Sequence, residues 1–443
     1  MNKIVIWGFG REGRSCYNYA LKRWPEADIK VLTDEYDISL FNELKGSYIF
    51  GETGLELLAA GDFDLIIKSP GISLYRQELQ KATKEGSLLT SSTNLWFEEN
   101  RNAKTIIVSG TKGKSTTASL LAYLMQNLGL DVTLAGNIGL PLLDVKAGKD
   151  WTILELSSYQ LADFHGHCDG FILLNLYQEH VPWHTSAKQY FYDKTRILHK
   201  SLSELAVIND NSHLSKQLSK PFKGHLVSFG TEQGFNVVDH KLYFKDEELN
   251  HNFKLKGEHN LKNLAASLAL IDALALNWKC VLTKLNGFNG LAHRLQEFYF
   301  ENGILCVDDS ISTTPDSTLC ALEAYREKEI HLILGGTERA QNYDKFITHL
   351  AQFNIQHVVL IGQTGKRLAN ELAQAKCKFK FDWRVYTSLE EGMSALAEKV
   401  QTNQSILLSP AAPSFGLFKD YQHRGEVFIK LANQFFSGRD KDS

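Results

Sequence analysis

The run Thr105-Ile-Ile-Val-Ser-Gly-Thr-Lys-Gly-Lys-Ser-Thr-Thr117 decides how this chain is read. A short β-branched stretch ends in a glycine-rich turn. Lys114, Ser115 and Thr116 then open a segment with apolar residues at Leu121, Leu124, Met125 and Leu128, the spacing of a helix. Strand, glycine turn, Lys-Ser and helix is the build of a triphosphate-binding loop. Backbone N–H groups and the helix N-terminus face the anion, the lysine adds a point charge, and the hydroxyl reaches Mg²⁺. The general motif has a glycine five residues before the Gly-Lys pair, where this chain has Val108. The shorter form Gly110-Thr111-Lys112-Gly113-Lys114-Ser115 therefore carries the reading. The competing reading is an ordinary strand–turn–helix junction.

Upstream, Ile4-Val-Ile-Trp7 runs into Gly8-Phe9-Gly10-Arg11-Glu-Gly13 and a helical stretch to about Trp24. A second strand at Ile29–Leu32 ends at Asp34, and Leu65-Ile-Ile67 leads into Ser69-Pro70-Gly71-Ile72. Strands alternating with helices predict a parallel sheet. A GxGxxG between strand and helix, with an acid some 20 residues on, suits a nucleotide or diphosphate, or only a tight β–α turn. Downstream, strands are expected at Thr152–Leu156 and Gly170–Asn175 and a helix at Asn260–Leu276. A last block has strands at Ile304–Val307, His331–Leu334, His357–Ile361 and Ser405–Leu408. The fold class is α/β in three domains, each on a largely parallel sheet: residues 1–98, 99–290 and 291–443.

Composition narrows the function. At 443 residues the chain exceeds a single core. A net charge of −3 argues against a nucleic-acid binder. No apolar run is long enough to span a bilayer and no signal peptide opens the chain, so a cytoplasmic protein without a membrane partner is expected. Six cysteines (16, 168, 280, 306, 320 and 377) lack CxxC spacing, which fits reduced thiols rather than disulfides or zinc. The His165-x-His167 pair has no third ligand at a useful spacing and reads as loop.

Three residues carry candidate chemistry. Glu155 ends an apolar strand in the same block as the phosphate loop, a position suited to Mg²⁺, or to an ordinary strand-end carboxylate. His180 follows another strand end and reads equally as a structural hydrogen-bonding group. Lys194 on its own reads as a solvated helix lysine.

Taken together, the motifs resemble the Mur ligases, the ATP-dependent amino-acid-adding enzymes of peptidoglycan synthesis, and most closely their glutamate-adding branch. The likeness runs nearly the full length. It rests on Gly8-Phe-Gly10, Ser69-Pro-Gly-Ile72, Gly110-Thr-x-Gly-Lys-Ser-Thr116, Gly136–Pro141, Glu155–Leu161, Gly257–Asn263, His293-Arg294, Asp308-Asp309-Ser310, Leu334-Gly-Gly336 and Leu408-Ser-Pro-Ala411. The resemblance implies a Rossmann-like N-terminal domain, a P-loop ATPase-like central domain and a Rossmann-like C-terminal domain. It puts the UDP-sugar on Gly8, Phe9, Gly10, Arg11, Asp34, Ser69, Pro70 and Gly71, with Asn137, Ser158 and Gln160 around the muramoyl peptide. ATP falls to Gly110–Thr116, Asn260, Asn263, Arg294 and Asp309. Two Mg²⁺ are implied, held by Ser115, Glu155, His180 and Lys194, the last as a carbamate derived from CO₂. Catalytic roles fall to Lys114, Glu155, His180 and Lys194. The implied reaction joins glutamate to UDP-N-acetylmuramoyl-L-alanine through an acyl phosphate, in a monomeric protein.

The chain departs from the branch where the amino acid binds. Ile311 stands where a lysine is usual, Thr337-Glu338-Arg339 replaces another lysine-containing turn, and Ser409-Pro-Ala-Ala-Pro413-Ser414 and Tyr421 vary the last motif. Val181-Pro-Trp183 follows His180 in place of the usual acid. Thr313, Arg339, Ser414 and Tyr421 are the expected glutamate contacts. The expected isomer is D-glutamate, the branch's common substrate, with L-glutamate the alternative. A nicotinamide dehydrogenase is the competitor suggested by Gly8–Gly13, and it leaves the Gly110–Thr116 loop unexplained. A non-catalytic nucleotide binder leaves the retention of Glu155, His180 and Lys194 unexplained. The UDP-type N-terminal block argues against a folate-type glutamate ligase.

Overall fold

A computed structural model describes residues 1–437 apart from Gly139, Lys256, Ala340, Lys376 and Cys377. Gly139 of the Gly136–Pro141 run and Cys377 therefore lie outside the described residues. The chain forms two compact units that divide between Phe288 and Asn289.

The first unit holds two parallel sheets. In the N-terminal one the strands Tyr48–Phe50, Asp28–Thr33, Lys3–Trp7, Leu65–Lys68 and Leu88–Ser91 lie side by side in that order. Every pair is parallel. Ile4 to Trp7 are fully buried, as parallel strands covered on both faces require. Strand order reverses beside Lys3–Trp7, so the turns after Trp7 and Lys68 meet at the sheet's carboxyl edge, where such folds bind ligands.

The second sheet runs His225–Phe229, Ser203–Asn209, Cys168–Leu173, Thr105–Ser109, Trp151–Glu155 and Val132–Gly136, again all parallel. The helix Lys114–Asn127 returns over it and packs against the helix Glu258–Ala273. The two contribute Leu121, Leu124, Leu264 and Leu268 to one buried cluster. A small antiparallel ribbon at Phe235–Val238, Lys241–Phe244 and Glu247–Glu248 lies beyond. The helix Ser92–Glu99 crosses the 98/99 boundary expected from the sequence.

The second unit has one six-stranded sheet in the order Gln296–Tyr299, Leu305–Asp308, Ser405–Leu408, Ile330–Gly336, Ile355–Ile361, Asp382–Tyr386. Only Gln296–Tyr299 runs antiparallel. His331 and His357 are register partners on adjacent strands, and both are buried. Among the described cysteines, Cys16, Cys168 and Cys306 are buried thiols, while Cys280 and Cys320 are exposed. Burial pushes the Cys168 thiol up to about 12 and raises Cys16 and Cys306 as well. Among the described residues no helix is long and apolar enough to cross a membrane.

Candidate active site

The phosphate loop sits between Thr105–Ser109 and Lys114–Asn127, at the carboxyl edge of its sheet. Gly113 takes φ +87°, and a Cβ there would meet Asn263 Oδ1 at 2.6 Å, so the turn requires glycine on two counts. Lys114 Nζ donates to the Thr111 carbonyl at 3.0 Å. Asn175, just past the neighbouring strand, pins the loop. Its Oδ1 accepts from Lys112 N at 2.8 Å, its Nδ2 donates to Lys112 O at 2.9 Å, and its carbonyl accepts from Thr111 N at 2.8 Å. Thr111 Oγ1 also lies 2.9 Å from Tyr190 Oη. Ser115 and Thr116 open the helix, and Lys112 Nζ pairs with Glu179 at 2.8 Å. Asn263 Nδ2 lies 3.4 Å from Asn260 Oδ1, so both amides are placed beside the loop.

Glu155 ends its strand at 1 % exposure. Asn137 Nδ2 donates to Glu155 Oε1 at 3.1 Å, while the buried Oε2 has no hydrogen-bond partner among the described residues. Lys194 ends the helix Ala187–Lys194, is 3 % exposed, and donates to the Gly110 carbonyl at 2.7 Å. It is no solvated helix lysine: burial, with the Lys114 charge added, pushes its amine down to about 7. His180 has left-handed backbone at φ +56°, rests on the Tyr159 ring at 4.9 Å, and is held below the usual histidine range by burial. Among the described residues no three His, Cys, Asp or Glu side chains cluster to hold a metal.

At the N-terminal sheet, Gly8 has φ +90° and Ser69 Oγ donates to its carbonyl at 2.9 Å, closing the two turns on each other. Phe9 packs under the Arg14 guanidinium, and Arg11 opens the helix Arg11–Arg23. Asp34 accepts from Trp7 Nε1 at 3.0 Å and pairs with Arg76, whose guanidinium lies 4.5 Å over the Trp7 ring. Gly13, not Gly10, is the position packing demands: its Cβ would fall 2.0 Å from Gly8 O, whereas nothing lies within 4 Å of one at Gly10.

Pro70 and Gly71 turn their carbonyls to Trp183 Nε1, each at 3.2 Å, and Ser73 Oγ donates to the Trp183 carbonyl at 2.5 Å. Trp183 stacks on Tyr159 at 4.6 Å. Trp183, in the run that stands where the acid is usual, thus ties the Pro70–Ser73 turn to the helix Val181–His184. Ser157 caps the helix Ser158–Leu161 in a capping box with Gln160, whose Oε1 accepts from Ser157 N at 2.9 Å. That leaves the Gln160 amide N–H₂ for other partners.

In the second unit, Thr313, Arg339, Ser414 and Tyr421 follow the adjacent strands Leu305–Asp308, Ile330–Gly336 and Ser405–Leu408, at one end of the sheet. The Thr313 carbonyl accepts from Gln341 at 3.0 Å, and the Tyr421 carbonyl from Ser310 Oγ at 2.7 Å. The Arg339 guanidinium lies 5.8 Å over the exposed Phe415 ring, and Ser414 is buried. Asp309 accepts from Ser409 Oγ at 2.7 Å and from Leu295 N at 3.3 Å; burial raises its carboxyl to about 6, and Arg294 tempers that rise. Arg424, fully buried, donates to Ser310 and to the Ala412 carbonyl, fixing these loops to each other.

Residues 2–91 match the family described as Mur ligase MurD-like, N-terminal domain. Residues 108–271 match the Mur ligase middle domain, and residues 293–412 the Mur ligase, glutamate ligase domain. The chain belongs to the Mur ligase family. Relatives named UDP-N-acetylmuramoyl-L-alanine--L-glutamate ligase include one from Xanthomonas euvesicatoria pv. vesicatoria, 34% identical over 97% of this chain and 94% of the relative. Others are from Xylella fastidiosa, 32% identical over 97% and 95%, and Salinispora tropica, 31% identical over 97% and 96%. The UDP-N-acetylmuramate-alanine ligase MurC of Thermotoga maritima has the same fold, with a TM-score of 0.60 at 18% identity, covering 98% of this chain and 100% of that one. So does MurF of Acinetobacter baumannii, with a TM-score of 0.60 at 15% identity, covering 94% and 88%. This Mur ligase is an ATP-dependent, ADP-forming enzyme that makes an amide bond. The names of the relatives carry L-glutamate, against the D-isomer expected from the sequence.

Asn175, Tyr190 and Tyr75 carry parts of the site that sequence reading did not single out, and Trp183 entered it only as part of a departure from the branch. Asn175 was within reach of it: an amide just past a strand end, opposite a phosphate loop, is a signal. Tyr75 gave none, because its partners lie over a hundred residues away.

Proposed function

We propose that this Mur ligase joins L-glutamate to UDP-N-acetylmuramoyl-L-alanine in peptidoglycan precursor synthesis, as a cytoplasmic monomer. The observation that carries the choice of isomer is the name shared by relatives at 31% to 34% identity over 97% of the chain. The departures at Ile311, Thr337–Arg339 and Ala412-Pro413 support it, since they fall where the amino acid would bind.

In this reading residues 1–98 take the UDP moiety, 99–290 take ATP, and 291–443 take glutamate. Gly8, Phe9, Gly10, Arg11, Asp34 and Ser69–Gly71 face the UDP-sugar; Asn137, Ser158 and Gln160 face the muramoyl peptide. Gly110–Thr116, Asn260, Asn263, Arg294 and Asp309 hold ATP. The alanyl carboxylate attacks the γ-phosphorus and ADP leaves, giving an acyl phosphate. The glutamate amine then attacks the acyl carbon, phosphate departs, and the nitrogen loses a proton. Lys114 and the loop N–H groups stabilise charge on the transferring phosphoryl group. Mg²⁺, when bound, supplies further positive charge there. The orphaned Glu155 Oε2 fits such an ion, as does a buried Lys194 whose neutral amine is accessible near pH 7 and so able to take up CO₂. Ser115, Glu155, His180 and the Lys194 carbamate would hold the two ions. Thr313, Arg339, Ser414 and Tyr421 supply donors for the two carboxylates of glutamate, with Arg339 able to bind one bidentately.

The test is phosphate release from ATP with UDP-N-acetylmuramoyl-L-alanine and either L- or D-glutamate. Release with L-glutamate is expected. Release with D-glutamate alone overturns the isomer, and release with neither overturns the substrate pair.

A further inference from the structure

Beneath the Ser69–Arg76 loop lies a closed relay of side chains. Tyr75 Oη is 2.7 Å from both carboxylate oxygens of Asp193. Gln189 Nε2 donates to Tyr75 Oη at 2.7 Å and to Asp193 Oδ1 at 2.8 Å. His184 Nδ1 is 2.6 Å from Asp193 Oδ2, and its Nε2 is 3.0 Å from Ser158 Oγ. Ser158, His184 and Asp193 are 2 %, 0 % and 1 % exposed.

Serine, imidazole and carboxylate in this order have the geometry of a hydrolytic triad. Their burial keeps any ester or amide from Ser158 Oγ, so nucleophilic attack is not their use. The carboxylate only accepts, which puts a proton on His184 Nδ1 and orients the ring, and the ring in turn fixes Ser158 Oγ. Asp193 directly precedes Lys194, and Tyr75 follows the Ser69–Gly71 turn. The relay therefore spans from the loop expected to carry the UDP-sugar to the helix that ends in Lys194. Trp183, on the helix Val181–His184 beside His184, adds a further tie from the same loop.

We infer that Tyr75, His184 and Asp193 are positioning residues for the UDP-linked substrate: they anchor Ser158, and with it the Ser157–Gln160 turn that faces the muramoyl peptide in that reading, and keep the Ser69–Arg76 loop in register with the helix Ala187–Lys194. This rests on the substrate reading above. A polar chain with no apolar gap from Tyr75 to Ser158 transmits position because each link has one geometry and a buried break leaves a group unsatisfied.

The test is a double-mutant cycle of Tyr75→Phe and Ser158→Ala, read as the calorimetric Kd for UDP-N-acetylmuramoyl-L-alanine without ATP, and separately for ATP alone. Tyr75→Phe keeps the ring and its edge contact with Trp183 and removes only the hydroxyl. It should raise the Kd for the UDP-linked substrate about ten-fold, the scale of one hydrogen bond to a charged group, and leave the Kd for ATP unchanged. Adding Ser158→Ala should then cost less than it does alone, because the two act through one chain. Asp193→Asn in place of Tyr75→Phe gives a second cycle with the same expectation. Additive effects, an unchanged Kd in Tyr75→Phe, or equal losses for both ligands overturn the relay and leave the ligase reading standing. Failure of the unmutated protein to bind the UDP-linked substrate overturns the substrate reading and the relay with it.

Discussion

The Lys194 amine sits in a pocket that disfavours its charge, and its chemistry follows from that. Below about pH 7 it is protonated and cannot take up CO₂; above, it is increasingly neutral and can. Ligation should fall on the acid side of neutrality and be partly restored there by added bicarbonate. A rate at pH 6 indifferent to bicarbonate counts against the carbamate. Lys194→Ala should be nearly inactive and partly rescued by short carboxylic acids, which can occupy the carbamate's space. Lys114→Ala should fold normally yet lose roughly 10²- to 10³-fold in turnover, the scale of one preorganised donor; near-normal turnover would sink the assignment of the loop. Both lysines stood out in the sequence for different reasons. Lys114 lies in a motif with its own mechanism. The role of Lys194 came from resemblance alone, because burial, the property that matters, depends on Gly110 and Tyr190 closing over it, which no local pattern records.

Among the elements, the helix Arg11–Arg23 depends on glycine at one position and tolerates change at another. Gly13→Ala puts a methyl into the Gly8 carbonyl, so the helix must lift off its strand, at a cost of about 1–3 kcal/mol as overpacking goes. Gly10→Ala meets open space at φ −73°, so its melting temperature should match the parent's, and any rise in KM for the UDP-linked substrate reads ligand approach alone. Melting curves of the two variants side by side check this; equal destabilisation contradicts it. The strands and helices that frame the sites were legible because parallel strands bury both faces and read as unbroken apolar runs. Tyr48–Phe50, at the sheet edge, is too short and too mixed in burial to show that signal. The 98/99 position lies in the helix Ser92–Glu99, whose Phe97 packs edge-on against Phe164 in the loop after Leu161 and which carries no linker composition.

At the scale of the whole molecule, the second unit carries its own pH sensitivity. His331 is buried, its Nε2 is 2.8 Å from Gln404 Oε1, and burial holds it below the usual histidine range. The folded state resists the proton that the unfolded chain accepts. Stability is therefore complete above the unfolded value of about 6.5 and is lost as pH falls from there toward the depressed folded value. Urea midpoints should drop more between pH 7.5 and 5.5 for the parent than for His331→Leu; identical drops exclude the histidine as the cause. The cysteines lend themselves to a different use. Cys280 lies before the break at Phe288 and Cys320 after it, and both face solvent, while Cys16, Cys168 and Cys306 are sealed and held as thiols. In a Cys377→Ser background the native protein should react promptly with a thiol reagent at two sites, and the unfolded chain at five. The chain thus carries a native pair of attachment points, one on each unit, for a fluorescent donor and acceptor. The distance between the two labels in solution, with and without nucleotide, can be read on it as on an optical ruler, with no new residue introduced for labelling.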